Sequence, residues 1–283
     1  MLDALKLMRI PFSIFLMPVY WFALTQLPNI EPSIAIHVFI LIHFFVYPAS
    51  NGYNSYFDKD EKSIGGLEKP PPVNRALFPL VILFDIGSIV YAYWINPIFS
   101  GLILIYVLIS KAYSYDKIRL KKYAILSTLV VTLFQGFFMF ISIQYAFLKA
   151  WDLILKWDNL AIAFCSSLFL LGSYPLTQVY QHQEDSERGD KTISLMLGIK
   201  GTFLFSSIAF LLGSLVLVFL FLEQGRTNEI YLFMGFGLPI LAYFSYWYKL
   251  VLKDLKQANF KHSMRMNMIS SICLSAAFIT MLI

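Results

Sequence analysis

Residues 36–62 read "IHVFILIHFFVYPASNGYNSYFDKDEK". The run up to Ser50 holds no Lys, Arg, Asp or Glu and is apolar enough to sit in hydrocarbon. Asn54, Asp58, Asp60 and Glu61 follow directly at its end. The stretch therefore reads as a helix that spans a bilayer and delivers oxygen-bearing side chains to its boundary.

Composition agrees. The chain has 283 residues, of which 58% are hydrophobic and 14% charged, whereas a soluble domain carries about 25% charge. Apolar blocks long enough to cross a bilayer, about 18 residues or more, recur along the whole sequence. Nine spans can be marked, at about 10–26, 32–53, 76–95, 97–114, 123–146, 159–180, 202–222, 229–248 and 266–283. Polar or Pro/Gly-marked breaks such as "LPNIEPS", "NP" at 96–97 and "EQGRTNE" separate them. Lipid cannot satisfy backbone polar groups, so spans are helices or a closed barrel. Unbroken apolar runs without strict alternation exclude the barrel.

Charge placement tests the span map. With the N-terminus inside, all of the 22 basic residues except Lys149, Lys156 and Arg226 fall on the inner side, as the positive-inside rule requires. The expected fold is an all-α integral membrane protein of nine transmembrane helices. Its N-terminus is cytosolic, its C-terminus outside, and residues 1–283 form one domain. The net charge of +5 reflects this loop bias, so nucleic acid is not a partner. Cys165 and Cys273 lie inside spans and read as small packing residues rather than a disulfide framework. The opening "MLDALKLMRIPFS" lacks a signal-peptide cleavage site and reads as mature chain.

The acids cluster too. Asp58, Asp60, Glu61 and Glu68 follow span two, while Glu184, Asp185, Glu187 and Asp190 follow span six. Two such ends suggest pseudo-equivalent halves. If span two continues as helix, Asn54, Asp58 and Glu61 stand at i, i+4 and i+7, on one face. Gln178, Gln181 and Asp185 stand at i, i+3 and i+7, with His182 and Glu184 flanking them. Two oxygen-rich faces at a membrane boundary suit Mg²⁺, which takes hard oxygen ligands, keeps waters and is commonly shared with substrate phosphates. The ordinary alternative, a solvated loop charge, fits Asp60, Glu187 and Asp190 best.

At these residues the sequence resembles the UbiA superfamily of intramembrane prenyltransferases. The first family motif, Asn-x-x-x-Asp-x-x-x-Asp, finds Asn54 and Asp58 here, with Lys62 in its third position. The second, Asp-x-x-x-Asp followed by Gly-x-x-Thr, finds Asp185, Gly189, Thr192 and Gly198 in "QHQEDSERGDKTISLMLG", with Gln181 in place of its first Asp. "KAYSYDKIRLKK" after span four resembles the family's Tyr-Ser…Arg/Lys-Leu-Lys segment through Arg119 and Lys121. "LMRIP" resembles its opening through Arg9 and Pro11.

The resemblance implies Mg²⁺-assisted departure of diphosphate and transfer of the prenyl group to an aromatic or other lipophilic acceptor. It places the metal on Asn54, Asp58, Glu61, Gln181 and Asp185, with Asp58 and Asp185 as the catalytic carboxylates. Arg9, Arg119, Lys121 and Lys191 are the implied diphosphate contacts. Membrane lipid is the surrounding partner, no obligatory protein partner is evident, and the site should face the cytosol from the cell membrane. A prenyl diphosphate cyclase or hydrolase shares that site, and a transporter or lipid-binding protein is the competing class. Outside the motifs, Asp85 stands within span three without an acid–base partner on its own helix. His37 and His43 read as packed or interfacial.

Overall fold

The computed structural model describes residues 1–283, and its regular elements are all helices. Eight helices are long and apolar enough to cross a membrane. They are α1 (Leu2–Leu24), α2 (Pro32–Asp58), α3 (Leu77–Ile95), α4 (Pro97–Ser114), α5 (Ala124–Leu148), α6 (Trp157–Thr177), α8 (Ile193–Glu223) and α9 (Thr227–Lys253). Between α6 and α8 lies the short α7 (His182–Arg188). The ninth expected span forms a helix, α10 (Phe260–Thr280). Lys261, His262, Arg265 and Asn267 crowd its first half, and it lacks the apolarity of the other eight.

Local chemistry explains the breaks. Asn96 accepts hydrogen bonds from the backbone N–H groups of Ile98 (2.9 Å) and Phe99 (3.1 Å), and Pro97 follows at the first helical position. An Asn cap with Pro next to it both ends α3 and starts α4. Four spans are irregular inside, α8 among them, where Gly198 kinks the helix with φ 68° and ψ 169°. α1 breaks at Arg9, which adopts a left-handed φ of 52° before the 3-10 turn Ile10–Leu16. α2 and α5 each contain a wide π turn, at Leu41–Val46 and Leu133–Phe138. Such turns cluster at functional sites.

Three apolar clusters hold the bundle. The largest joins Tyr20, Phe22, Phe99, Phe140, Phe221 and Phe278 among others. A second packs Leu7, Met8, Ala49, Tyr53, Leu77 and Val81 around the polar end of α2. The third packs Val179, Phe203, Trp247 and Met266 beside the chain entering α7. Each acidic segment thus has its own apolar buttress. Elsewhere large apolar side chains face outward, Leu83, Ile86, Val90 and Trp94 on α3 and Leu204, Ile208, Leu211 and Leu215 on α8. Exposed apolar surface on this scale marks contact with lipid rather than water.

Asp85 does find a partner, across the helix boundary. Lys111 Nζ on α4 lies 2.8 Å from Asp85 Oδ2, with both side chains largely buried. Lys111 belongs to the helix wall, not to the basic inner segment in which the span map counts it. His43 is buried, its Nδ1 3.0 Å from the Phe39 carbonyl, and His37 Nδ1 lies 2.6 Å from the Tyr91 hydroxyl.

Candidate functional site

A cavity opens where the end of α2 and the segment around α7 meet. Asn54, Asp58, Gln181, Asp185, Arg9 and Lys121 all line it. Chain positions about 120 residues apart are therefore one site. The Asn54 amide is aimed by Ser114, whose hydroxyl donates to Asn54 Oδ1 at 2.7 Å. Asp58 forms an ion pair with Lys121 and lies 3.7 Å from Arg119. Arg119 clamps Asp190 with two hydrogen bonds of 3.0 and 2.9 Å, and Lys121 also approaches Asp190 at 3.7 Å. The basic segment after α4 thus joins the first acidic segment to the second.

The expected helix face of the first segment ends early. α2 stops at Asp58 because Lys59 turns left-handed, with φ 51°. Glu61 therefore does not stand two turns above Asn54. It is exposed and outside the cavity lining, and its backbone N–H donates to Glu184 Oε1 at 3.3 Å. Asp60 takes the inward place, lining the cavity and forming an ion pair with Arg188. Arg188 is braced in turn by Glu184 at 2.8 Å. Asp60 and Asp190 are not solvated charges: their side chains are 5% and 4% exposed.

Two expected diphosphate contacts sit elsewhere. Arg119 stands behind the lining, against Asp58 and Asp190. Lys191 is exposed and lines a lateral apolar groove with Lys122. Arg9 does reach the site. Its guanidinium donates to the carbonyls of Asn51 (3.1 Å) and Gly65 (3.2 Å), contacts that hold its left-handed backbone in place. Lys62, in the third motif position, points away and meets Glu187 at 3.9 Å with both side chains about half exposed. His182 also turns away, toward the Ser194 hydroxyl at 2.7 Å. Arg188, Asp60 and Asp190 carry more of the site than the linear pattern suggests. The signal in the sequence was Gly189, whose positive φ of 74° ends α7 and turns Asp190 back toward Asp185.

Burial pushes the Asp185 carboxyl up to about 7, against the opposing pull of a 3.2 Å hydrogen bond from Thr192. Burial also works against the charges of Arg119 and Arg188. Their acidic partners, Asp190 for the first and Asp60 for the second, outweigh it and hold both above the ordinary arginine range. The donors facing the cavity are all oxygens: Asn54, Asp58, Asp60, Gln181 and Asp185. No three acidic, His or Cys side chains converge closely enough to cage a metal alone. The set fits a hard cation that shares its coordination with a ligand's phosphate oxygens and water, and it does not fit a closed all-protein metal cage.

Deeper in, the cavity is lined by Phe15, Tyr106, Phe134 and Leu170. Gly65 and Gly66 cross its mouth directly over Phe12, so close that a Cβ on Gly65 would lie 2.5 Å from the ring.

The family model for the UbiA prenyltransferase family matches residues 15–269. No curated protein matches the chain. Among solved structures, a UbiA homologue from Archaeoglobus fulgidus bound to GPP and Mg²⁺ superposes with a TM-score of 0.69 at 19% identity, covering 99% of this chain and 100% of that one. The apo UbiA homologue from Aeropyrum pernix K1 gives 0.69 at 18% identity, covering 97% and 99%. A structure described for digeranylgeranylglyceryl phosphate synthase gives 0.60 at 19% identity over 98% and 96%. At these identities the likeness establishes the fold, while the family model reaches through both acidic segments and the basic segment between them, so the chain belongs to the UbiA prenyltransferase family, as an integral membrane protein.

Proposed function

We propose that the protein transfers a prenyl group from a prenyl diphosphate to a lipophilic acceptor inside the membrane. The observation that carries this reading is the two-part cavity: carboxylates, amides and cations at its mouth, aromatic and aliphatic side chains below. A ligand with a charged head and an apolar tail matches both parts. Related structures hold GPP or DMAPP with Mg²⁺, which supports the same ligand class here.

In this reading Asn54, Asp58, Asp60, Gln181 and Asp185 hold Mg²⁺ with the diphosphate, and Mg²⁺ supplies charge neutralisation as the leaving group departs. Arg9, Lys121 and Arg188 reach the phosphate oxygens. Arg119 orients Asp58 and Asp190 from behind. The C1–O bond breaks with its electron pair going to diphosphate. The allylic cation at C1 then bonds to the acceptor, whose displaced proton leaves on the diphosphate. Rings beside the tail stabilise the cation, and the apolar wall keeps water from capturing it.

Crossing of the bilayer by α10, which would make nine spans with the N-terminus cytosolic, is part of the proposal. It is supported by the inner-side bias of Lys and Arg. The test is diphosphate release from a panel of prenyl diphosphates by purified protein in lipid, with and without Mg²⁺, beside Asp58→Ala and Asp185→Ala. Mg²⁺-dependent release that both substitutions abolish upholds the reading. No release from folded protein with any substrate would sink it.

A further inference from the structure

Below the charged mouth the cavity keeps polar side chains, Ser110, Ser173 and Tyr174 among them, and one group joins three helices. Ser50 on α2, Tyr106 on α4 and Gln135 on α5 all line the cavity. The Tyr106 hydroxyl lies against both the Gln135 amide and the Ser50 hydroxyl. Ser50 precedes Asp58 by eight residues and Tyr106 precedes Ser114 by eight, so each lies about 12 Å deeper than the mouth. Ile109, Val131 and Leu170 supply the apolar part of the neighbouring wall. The guanidinium of Arg9 stands above this group, held by the Gly65 and Asn51 carbonyls, and Lys111 is taken by Asp85.

The backbone is distorted to present Gln135. It sits inside the π turn Leu133–Phe138, and Ser167 on α6 occupies the opened ladder. The Ser167 hydroxyl donates to the Thr132 carbonyl (2.9 Å) and accepts from the Phe137 N–H (3.0 Å). Gly136 permits this approach, since a Cβ there would meet the Ser167 backbone at 2.8 Å. An amide facing a chamber that must stay dry is costly unless something polar answers it. It would also hold water next to the cation.

We infer that Ser50, Tyr106 and Gln135 form the seat of the acceptor's polar group, and that the acceptor is uncharged there. An amide and two hydroxyls offer both donors and acceptors but no net charge. They suit a hydroxyl or carbonyl and give no counter-charge to a carboxylate or phosphate. The inference rests on the prenyl-transfer reading and narrows its acceptor class.

The test pairs acceptors that differ only in charge, a naphthohydroquinone with its carboxylate and a glycerol-based alcohol with its phosphate. Geranyl diphosphate and Mg²⁺ are supplied to protein in lipid. Transfer to the neutral member of a pair should exceed transfer to the charged one by about tenfold in kcat/KM. Gln135→Leu and Tyr106→Phe should each raise the acceptor KM about tenfold, the equivalent of a lost buried hydrogen bond. Geranyl diphosphate affinity should stay within about twofold in Gln135→Leu, and Gln135→Asn should recover part of the KM. Melting temperature reports whether each variant is folded. Preference for the charged members, or unchanged acceptor KM in folded Gln135→Leu and Tyr106→Phe, overturns the seat while leaving prenyl transfer standing. Failure of geranyl diphosphate to bind at all removes both.

Discussion

Lys111 Nζ stands 2.8 Å from Asp85 Oδ2, bridging α3 and α4 within the apolar wall, and the same ammonium lies 4.5 Å from the centre of the Tyr53 ring. Removing one partner of a buried pair leaves the other charge stranded, at about 3–5 kcal/mol. Asp85→Leu should therefore lower the melting temperature sharply, and adding Lys111→Met should recover most of the loss. A single substitution as stable as the parent would show that the pair contributes nothing.

Asp60 and Glu61 are adjacent in sequence but face different surroundings. Asp60→Asn should weaken Mg²⁺-dependent binding of geranyl diphosphate by about tenfold, the order expected for losing one charge-assisted contact. Glu61→Gln should change it by less than about twofold. Titration calorimetry on the two variants decides the matter. Equal losses would restore Glu61 to the ligand set.

The Asp185 carboxyl titrates near 7 because burial disfavours its charge. For a carboxyl raised in the fold, the stability it contributes is full below the ordinary carboxylate range and is lost as pH rises through about 7. Metal needs the ionised form and competes with the proton. Mg²⁺-dependent prenyl diphosphate binding should thus strengthen about tenfold between pH 6 and pH 8, and Asp185→Asn should flatten that profile. A wild-type profile already flat over this range would contradict it.

Gly136 fits because Ser167 passes where its side chain would stand. Gly136→Ala should push α5 from α6 and cost about 1–3 kcal/mol, the usual range for overpacking. Thermal unfolding measures it, and a neutral result would mean that the two helices part freely.

Much of this protein was legible along the chain. Hydropathy and charge are local quantities, so the apolar helices, their polar breaks and the two acidic ends could be read directly, and the ordered motifs pointed to the UbiA family. The convergence of Asn54 and Asp58 with Gln181 and Asp185 also follows from two helices ending at one boundary. What tertiary structure decided was which neighbouring side chain turns inward. The i+7 relation of Glu61 to Asn54 assumed an unbroken helix, and the left-handed turn at Lys59 handed the place to Asp60. Arg119 and Lys191, two bases in plausible register, ended behind the site and in a lateral groove outside it. Asp85 found Lys111 on the next helix, a pairing that no spacing within one helix records. Gln135 enters the chamber through a π turn supported by a serine from another helix. Helical periodicity predicts faces only while the backbone stays regular; at breaks and wide turns, packing against other helices sets the direction of each side chain.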